Sequence, residues 1–255
     1  MKEPESTARR LHVATYNIHK GFSQFNRRMV IHDLRQELQK LDPDLLFLQE
    51  VQGLHLHHAA RRADWPDAPQ HEFIAEDTWH SAYGHNVAYD HGHHGNAILS
   101  RFPILTSHNQ DVTHLRFERR GLLHAVIQPP GWDVPLHCVC VHLSLFSRSR
   151  RLQMNALADQ LEELAPAGTP LIVAGDFNDW RNSAEDLLAS RLGLHEAFGD
   201  QPTRSFPAKL PLFRLDRIYL RGFQIESTEL HWGPPWSRIS DHAALSARLL
   251  ADDRR

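Results

Sequence analysis

Cysteine is nearly absent from this chain: two residues in 255, Cys138 and Cys140, both inside one apolar segment. Residues at i and i+2 of a strand share a face but are held too far apart to bridge easily. A disulfide scaffold is therefore excluded, and so is a zinc site built on thiolates. No apolar run approaches the ~20 residues that a membrane-spanning helix needs. The first ten residues are hydrophilic and carry no apolar core of a signal peptide, so a cytoplasmic location is expected. Charge of one sign is also missing: the formal net charge is −3. A protein that coats nucleic acid by charge alone is excluded, but a local basic cleft is not. Repeats and low-complexity tracts are absent. With 41% apolar and 23% charged residues the chain can bury a sizeable core, as one large α/β or two-sheet domain or as two small ones.

What is abundant is histidine, at 20 residues. His55, His57 and His58 fall in an expected loop or short helix, and His91, His93 and His94 flank Gly92 and Gly95. Without nearby thiols these clusters read as solvated or locally hydrogen-bonded loop histidines rather than as structural zinc ligands. Apolar patterning predicts strands near 11–17, 44–50, 96–101, 103–110, 121–128, 134–142, 170–176, 215–220, 223–231 and 242–250. Val30, Leu34, Leu38 and Leu41 predict one amphipathic helix ending before Pro43. Leu152, Ala156, Leu157, Leu161 and Leu164 predict a second, stopped by Pro166 and Gly168. A strand-rich chain with a few such helices fits two packed sheets covered by helices on their outer faces.

The polar residues of greatest interest sit where those strands end. Asn17 closes the first strand, Glu50 the second, and His142 follows the apolar run 136–141. Gly175-Asp176-Phe177-Asn178 follows 171–174, Asp216 opens 215–220, and Ser240-Asp241-His242 opens the last apolar segment. A carboxylate or imidazole at such a position is rigidly held yet reachable. Oxygen donors without thiols favour magnesium, with manganese as the alternative, over zinc. Glu50 and Asp241 are the candidate carboxylates and Asn17 a neutral amide donor. Taken singly, each has a bland reading: an Asx turn at Asp176 and Asn178, a backbone-satisfied core histidine at 142, a surface His–acid pair at 241–242. Asp216 could orient His242 and raise its basicity.

In order along the chain, Thr15-Tyr16-Asn17-Ile18, Leu48-Gln49-Glu50-Val51, Gly95-Asn96-Ala97-Ile98-Leu99-Ser100-Arg101, Val141-His142-Leu143, Gly175-Asp176-Phe177-Asn178, Leu215-Asp216-Arg217-Ile218 and Ser240-Asp241-His242 resemble the endonuclease/exonuclease/phosphatase superfamily. Its fold is that of deoxyribonuclease I, and the chain looks most similar to a bacterial branch whose substrate is unsettled. The resemblance implies an α+β fold, a four-layer α/β/β/α sandwich of two packed mixed β-sheets flanked by helices. It would fill one domain over 11–250, with a flexible tail at 1–10 and another at 251–255. It implies a divalent-metal-dependent hydrolase of a phosphate ester, most naturally a phosphodiester, working by in-line attack of water. Glu50 would be the principal metal ligand, assisted by Asn17 and Asp241. Asp176 and Asn178 would position or deprotonate the water, and His242, oriented by Asp216, would be general base or transition-state stabiliser. His142 would donate to a phosphate oxygen or the departing group, and Asn96 and Arg120 would lie near the substrate phosphate. A histidine at 142 resembles the deoxyribonuclease, sphingomyelinase and inositol phosphatase branches rather than the abasic-site repair branch. The substrate stays open between nucleic acid and a phospholipid or small-molecule phosphodiester, and a non-catalytic binding scaffold is the alternative of another class.

Overall fold

The computed structural model of the chain describes residues 9–24, 28–62, 64–180, 183–199, 201 and 203–252. Most of the expected tails, 1–8 and 253–255, lies outside these residues. The strands are β1 (Arg10–Asn17), β2 (Leu45–His55), β3 (His80–Tyr89), β4 (Gly92–Ser100), β5 (Ile104–Asp111), β6 (Gly121–Ile127), β7 (Leu136–His142), β8 (Leu171–Asp176), β9 (His195–Glu196), β10 (Asp216–Arg221), β11 (Phe223–His231) and β12 (Ala244–Ala251). The helices are α1 (Ile31–Leu41), α2 (Leu56–Arg61), α3 (Gln70–Ala75), α4 (Ser147–Leu164), α5 (Ser183–Leu192) and α6 (Trp236–Ile239).

The strands form two six-stranded sheets, in the orders β11-β12-β1-β2-β4-β3 and β5-β6-β7-β8-β10-β9. Both are mixed: β1–β2 and β7–β8 pair parallel, and the other neighbours are antiparallel. Alternation along each strand builds the layers. Leu11, Val13, Leu45 and Phe47 turn inward and meet Leu123, Cys138, Cys140, Ile172, Ala174 and Ile218 of the opposite sheet. Ala14, Tyr16, Leu46 and Leu48 turn outward under Ile31, Leu34 and Leu38 of α1 and Ile74 of α3. On the far side Val139, Val141 and Val173 pack beneath Met154, Leu157 and Leu161 of α4 and Leu188 of α5. Each such aliphatic side chain contributes roughly 1.5–3 kcal/mol on full burial. Helix, sheet, sheet, helix is the expected four-layer sandwich. Both cysteines are free and buried in the space between the sheets. Burial pushes the Cys140 thiol up to about 12. No helix among the described residues is long and apolar enough to cross a membrane.

Three expectations need correction. First, β3 was absent from the apolar pattern because His80, Ser81, Gly84, His85 and Asn86 give it neither alternation nor strand propensity. It is an edge strand held by backbone pairing to β4. Secondly, His55, His93 and His94 are strand residues: β2 ends at His55, which pairs with Gly92, and β4 pairs through His93 and His94 with β3, while His94 also pairs with β2. Thirdly, the buried face of α4 is Arg150, Gln153, Met154, Leu157, Ala158 and Leu161, whereas Leu152 and Leu164 are exposed. That set recurs at i, i+3, i+4, i+7, i+8 and i+11, the true helical face. Arg150 and Gln153 take apolar-looking places because each satisfies backbone groups. Arg150 donates to the carbonyls of Ser144 and Leu145, and Gln153 accepts from the Ser144 N–H.

On the outer face of the second sheet, the rings of His124 and His137 meet with Nε2 and Nδ1 3.0 Å apart, both buried. Burial, then His137, pushes His124 down to about 4. The folded state thus resists a proton that the unfolded chain accepts below about pH 6.5. The resulting stability is full above that pH and is lost as pH falls toward 4. Urea midpoints at pH 7 and pH 4.5 are expected to drop less for His124→Phe than for the wild type.

Candidate functional site

Sheet pairing carries the six strand-end clusters to one end of the sandwich. In the second sheet His142 lies beside Asp176, and Asp176 beside Asp216, in direct register. In the first, Asn17 pairs with Gln49, next to Glu50. Ser240 Oγ donates to the Asn17 carbonyl at 2.6 Å and accepts from the His242 N–H at 3.2 Å, which docks the 240–242 turn on β1.

Local backbone irregularities aim the side chains. The register between β2 and β4 shifts between Leu48 and Val51, and Glu50, inside that bulge, has φ 56°. Asn178 has φ 48°. Left-handed backbone is uncommon for non-glycine residues and costs of order 1 kcal/mol, so the surrounding pairing must hold it. Gly175 has φ 146°, and a Cβ there would stand 2.0 Å from the Val141 carbonyl oxygen. Only glycine lets β8 approach β7 closely enough to set Asp176 against His142. Gly175→Ala is expected to cost about 3 kcal/mol or more, read as a fall in thermal midpoint.

The deepest part of the site centres on one oxygen. Asp176 Oδ2 receives Asn17 Nδ2 at 3.3 Å, and the Nε2 atoms of His142 and His242 stand 3.5 and 3.9 Å away. Asp176 Oδ1 meanwhile accepts the Asn178 N–H at 2.9 Å, so the Asx turn and the inward-facing carboxylate coexist. Asp216 Oδ2 lies 2.8 Å from His242 Nδ1. Burial, with Asp216 nearby, raises the Asp176 carboxyl. Burial alone would lower His242, but Asp216, Asp176 and Asp241 outweigh it and hold the imidazole at about 10. Burial, then Arg120 and His242, hold His142 well below its ordinary value. These shifts favour the protonated form of His242 and the neutral form of His142.

Nearer the opening, Glu50 and Asp241 are partly exposed. Lys20 Nζ is 3.6 Å from Glu50 Oε2, and His19 Nδ1 is 3.2 Å from Asp241 Oδ1. The His19 N–H donates to Asn17 Oδ1 at 3.1 Å. Hydrogen bonding to Asp241 raises His19; burial opposes the lowering of Asp241, but His19 and His242 prevail. Two partly exposed carboxylates and a nearby amide oxygen are the donor types a hard divalent cation takes, and both thiols are sealed in the core. Asp176, Asp216 and His242 also bring three potential ligating atoms within 4.8 Å of one another. All three are buried, and the His242 imidazolium already supplies the positive charge between the two carboxylates.

Asn178 spends its amide N–H on the Leu143 carbonyl at 2.9 Å. Asn96 ties the sheets together, donating to the carbonyls of Gly121 and Cys140 at 3.1 and 3.4 Å. Arg120 donates to Glu118 and to the carbonyls of Leu143 and Arg119. Sequence reasoning missed His19, Lys20, His94 and Glu118. Glu118 accepts from Arg120, Ser144 Oγ and the Leu145 N–H, fixing the turn after His142. Burial, then Lys20, pushes His94 down to about 4. The closeness of His19 and Lys20 to Asn17 was visible, but their pairing depends on left-handed backbone at both.

A family model described as the Endonuclease/Exonuclease/phosphatase family matches residues 14–242. The chain is 44% identical over 241 residues to "Uncharacterized protein YbhP" of Escherichia coli (strain K12), covering 93% of this chain and 95% of that one. Among solved structures, an endonuclease/exonuclease/phosphatase from Beutenbergia cavernae superposes with a TM-score of 0.73 at 18% identity, covering 95% of this chain and 72% of that one. The mannosyl-6-phosphatase Bt3783 of Bacteroides thetaiotaomicron superposes with a TM-score of 0.70 at 17% identity, covering 94% and 99%.

Proposed function

Because this chain belongs to the endonuclease/exonuclease/phosphatase family of phosphoester hydrolases, we propose that its cleft hydrolyses a phosphodiester by in-line attack of water. The observation that supports this most is the convergence of Asn17, His142 and His242 nitrogens on Asp176 Oδ2. Three donors around one carboxylate oxygen can also hold a phosphoryl oxygen while that carboxylate holds the water beside it.

Glu50, Asn17 and Asp241 would hold magnesium, with manganese as the substitute. Such an ion neutralises charge on the non-bridging and leaving oxygens, which is worth several kcal/mol of barrier. Asp176, whose proton affinity is raised by burial, takes the proton of the attacking water, and Asn178 anchors it through the Asx turn. His242 is positive at neutral pH and acts as donor and stabiliser rather than as base, with Asp216 fixing its orientation. His142, neutral and mostly buried at the cleft, faces the departing oxygen. Arg120 lends charge near the phosphate, and Asn96 supports the floor from below. Acid–base assistance of this kind contributes about 10²–10⁴-fold.

The bond cleaved is tested by a panel of bis(4-nitrophenyl) phosphate, 4-nitrophenyl phosphate, supercoiled plasmid and phospholipid vesicles, each with magnesium, manganese or EDTA. Diester turnover that requires the metal is expected. Turnover confined to the monoester would move the chain to the class of its mannosyl-6-phosphatase neighbour, and plasmid nicking at moderate salt would favour the nuclease reading. No turnover of any ester with either metal would leave only the binding scaffold.

A further inference from the structure

Four segments leave the site end of the second sheet, because Leu122 pairs with Val141, His142 with Asp176, and Asp176 with Asp216. These are residues 112–120 before β6, 143–146 after β7, 177–180 after β8 and 203–215 before β10. Each carries large apolar side chains in water: Phe117 is 76% exposed, Leu145 56%, Phe146 51%, Trp180 50% and Leu210 67%. They group in pairs. Phe117 and Phe146 meet edge to face at 5.9 Å, and Trp180 and Phe213 at 4.6 Å.

The groups adjoin the cleft. Phe213 bridges by backbone to Phe206, whose ring lies 5.0 Å from that of His242. The Leu145 N–H is bound to Glu118, the partner of Arg120. Interleaved with the apolar residues are exposed Arg116, Arg119, Arg148, Arg204 and Lys209. The acids described in these segments and the start of α4, Glu118 and Asp179, are both buried. A chain of net charge −3 thus presents one face that is basic and apolar together, with a single exposed acid, Asp111, at its margin near Arg119.

We propose that this face docks on an anionic phospholipid bilayer and brings headgroup phosphodiesters to the cleft. Basic side chains are drawn to the negative leaflet surface, while Trp, Phe and Leu side chains enter the headgroup–acyl boundary. A single nucleic acid strand is held by stacked aromatic rings along a basic groove. Leu145, Leu210 and Leu212 offer no ring to a base, yet they are exposed beside the aromatic pairs. That mixture suits a bilayer. The substrate class rests on the phosphodiester reading given above, but the docking surface does not.

The test is sedimentation of the full chain with vesicles of phosphatidylcholine, alone or mixed with phosphatidylglycerol, in EDTA so that no turnover occurs. Binding to the mixed vesicles is expected, weakening as salt is raised. The triple variant Phe117→Ser/Leu145→Ser/Leu210→Ser and the pair Arg116→Glu/Arg119→Glu should each weaken partitioning by about tenfold or more. Both should hydrolyse soluble bis(4-nitrophenyl) phosphate as the wild type does, which also shows that they fold. No sedimentation with anionic vesicles, or equal sedimentation of wild type and variants, overturns the surface. So does loss of binding to a single-stranded oligonucleotide in the variants with vesicle binding unchanged. Vesicle binding by a chain that turns over no ester would sink the phosphodiester reading and leave the surface standing.

Discussion

Asp176→Asn is expected to lower diester turnover by ~10³-fold or more while leaving the protein folded. The substitution keeps shape and removes charge. An amide nitrogen at the Oδ2 position would face Asn17 Nδ2, 3.3 Å away, and two imidazole nitrogens, and it could no longer take a proton from water. The accompanying effect on stability has the opposite sign. Burial and Asp216 raise the Asp176 carboxyl above its unfolded value, so the folded state gives up stability as pH rises through that raised range. Asparagine has no ionisation to resist, so at pH 8 the variant should melt no lower than the wild type. Parallel melts and initial rates at pH 8 would check both halves. A variant that loses activity and stability together would mark Asp176 as structural, and full activity would remove it from the chemistry.

The second large effect is expected at Glu50. Glu50→Gln should raise the magnesium concentration for half-maximal activity by roughly tenfold to a hundredfold, with partial recovery at saturating metal. Lys20 supplies the control, since its ammonium lies 3.6 Å from the same carboxylate. Lys20→Met removes a positive charge that competes with a cation there, and should shift the requirement the other way. Magnesium titrations followed by calorimetry and by rate would check the pair. Shifts of the same sign in both variants would count against Glu50 as the metal carboxylate.

The strand-end pattern was legible because Asn17, Glu50, His142, Asp176, Asp216 and Asp241 each stand at or just beyond the end of an apolar run. Two sheets flanked by helices also followed from the apolar segments, since central strands are buried on both faces and read as continuous runs. The rest depended on contacts that no local pattern encodes. β3 reads as loop because an edge strand of His, Ser, Gly and Asn is held by its neighbour's backbone rather than by burial. The face of α4 was misread because buried Arg150 and Gln153 count as polar in any periodicity. His19 and Lys20 meet Asp241 and Glu50 only after two left-handed residues and a bulge have turned the chain. The protonation assignment of His242 needed three carboxylates from separate segments around one ring.

The adjacency of β1 and β12 carries a practical consequence for immobilisation. Arg10 pairs with Leu250, while Thr15 pairs with Leu245 near the other end of the same ladder. The seven steps of strand from Arg10 to Asn17 put about 23 Å between the margin that bears Arg10 and Ala251 and the margin that bears Asn17. A tether, tag or fused protein grafted at residue 10 or 251 would project from the rear of the sandwich. A molecule anchored there would hold its mouth toward whatever surface it is offered.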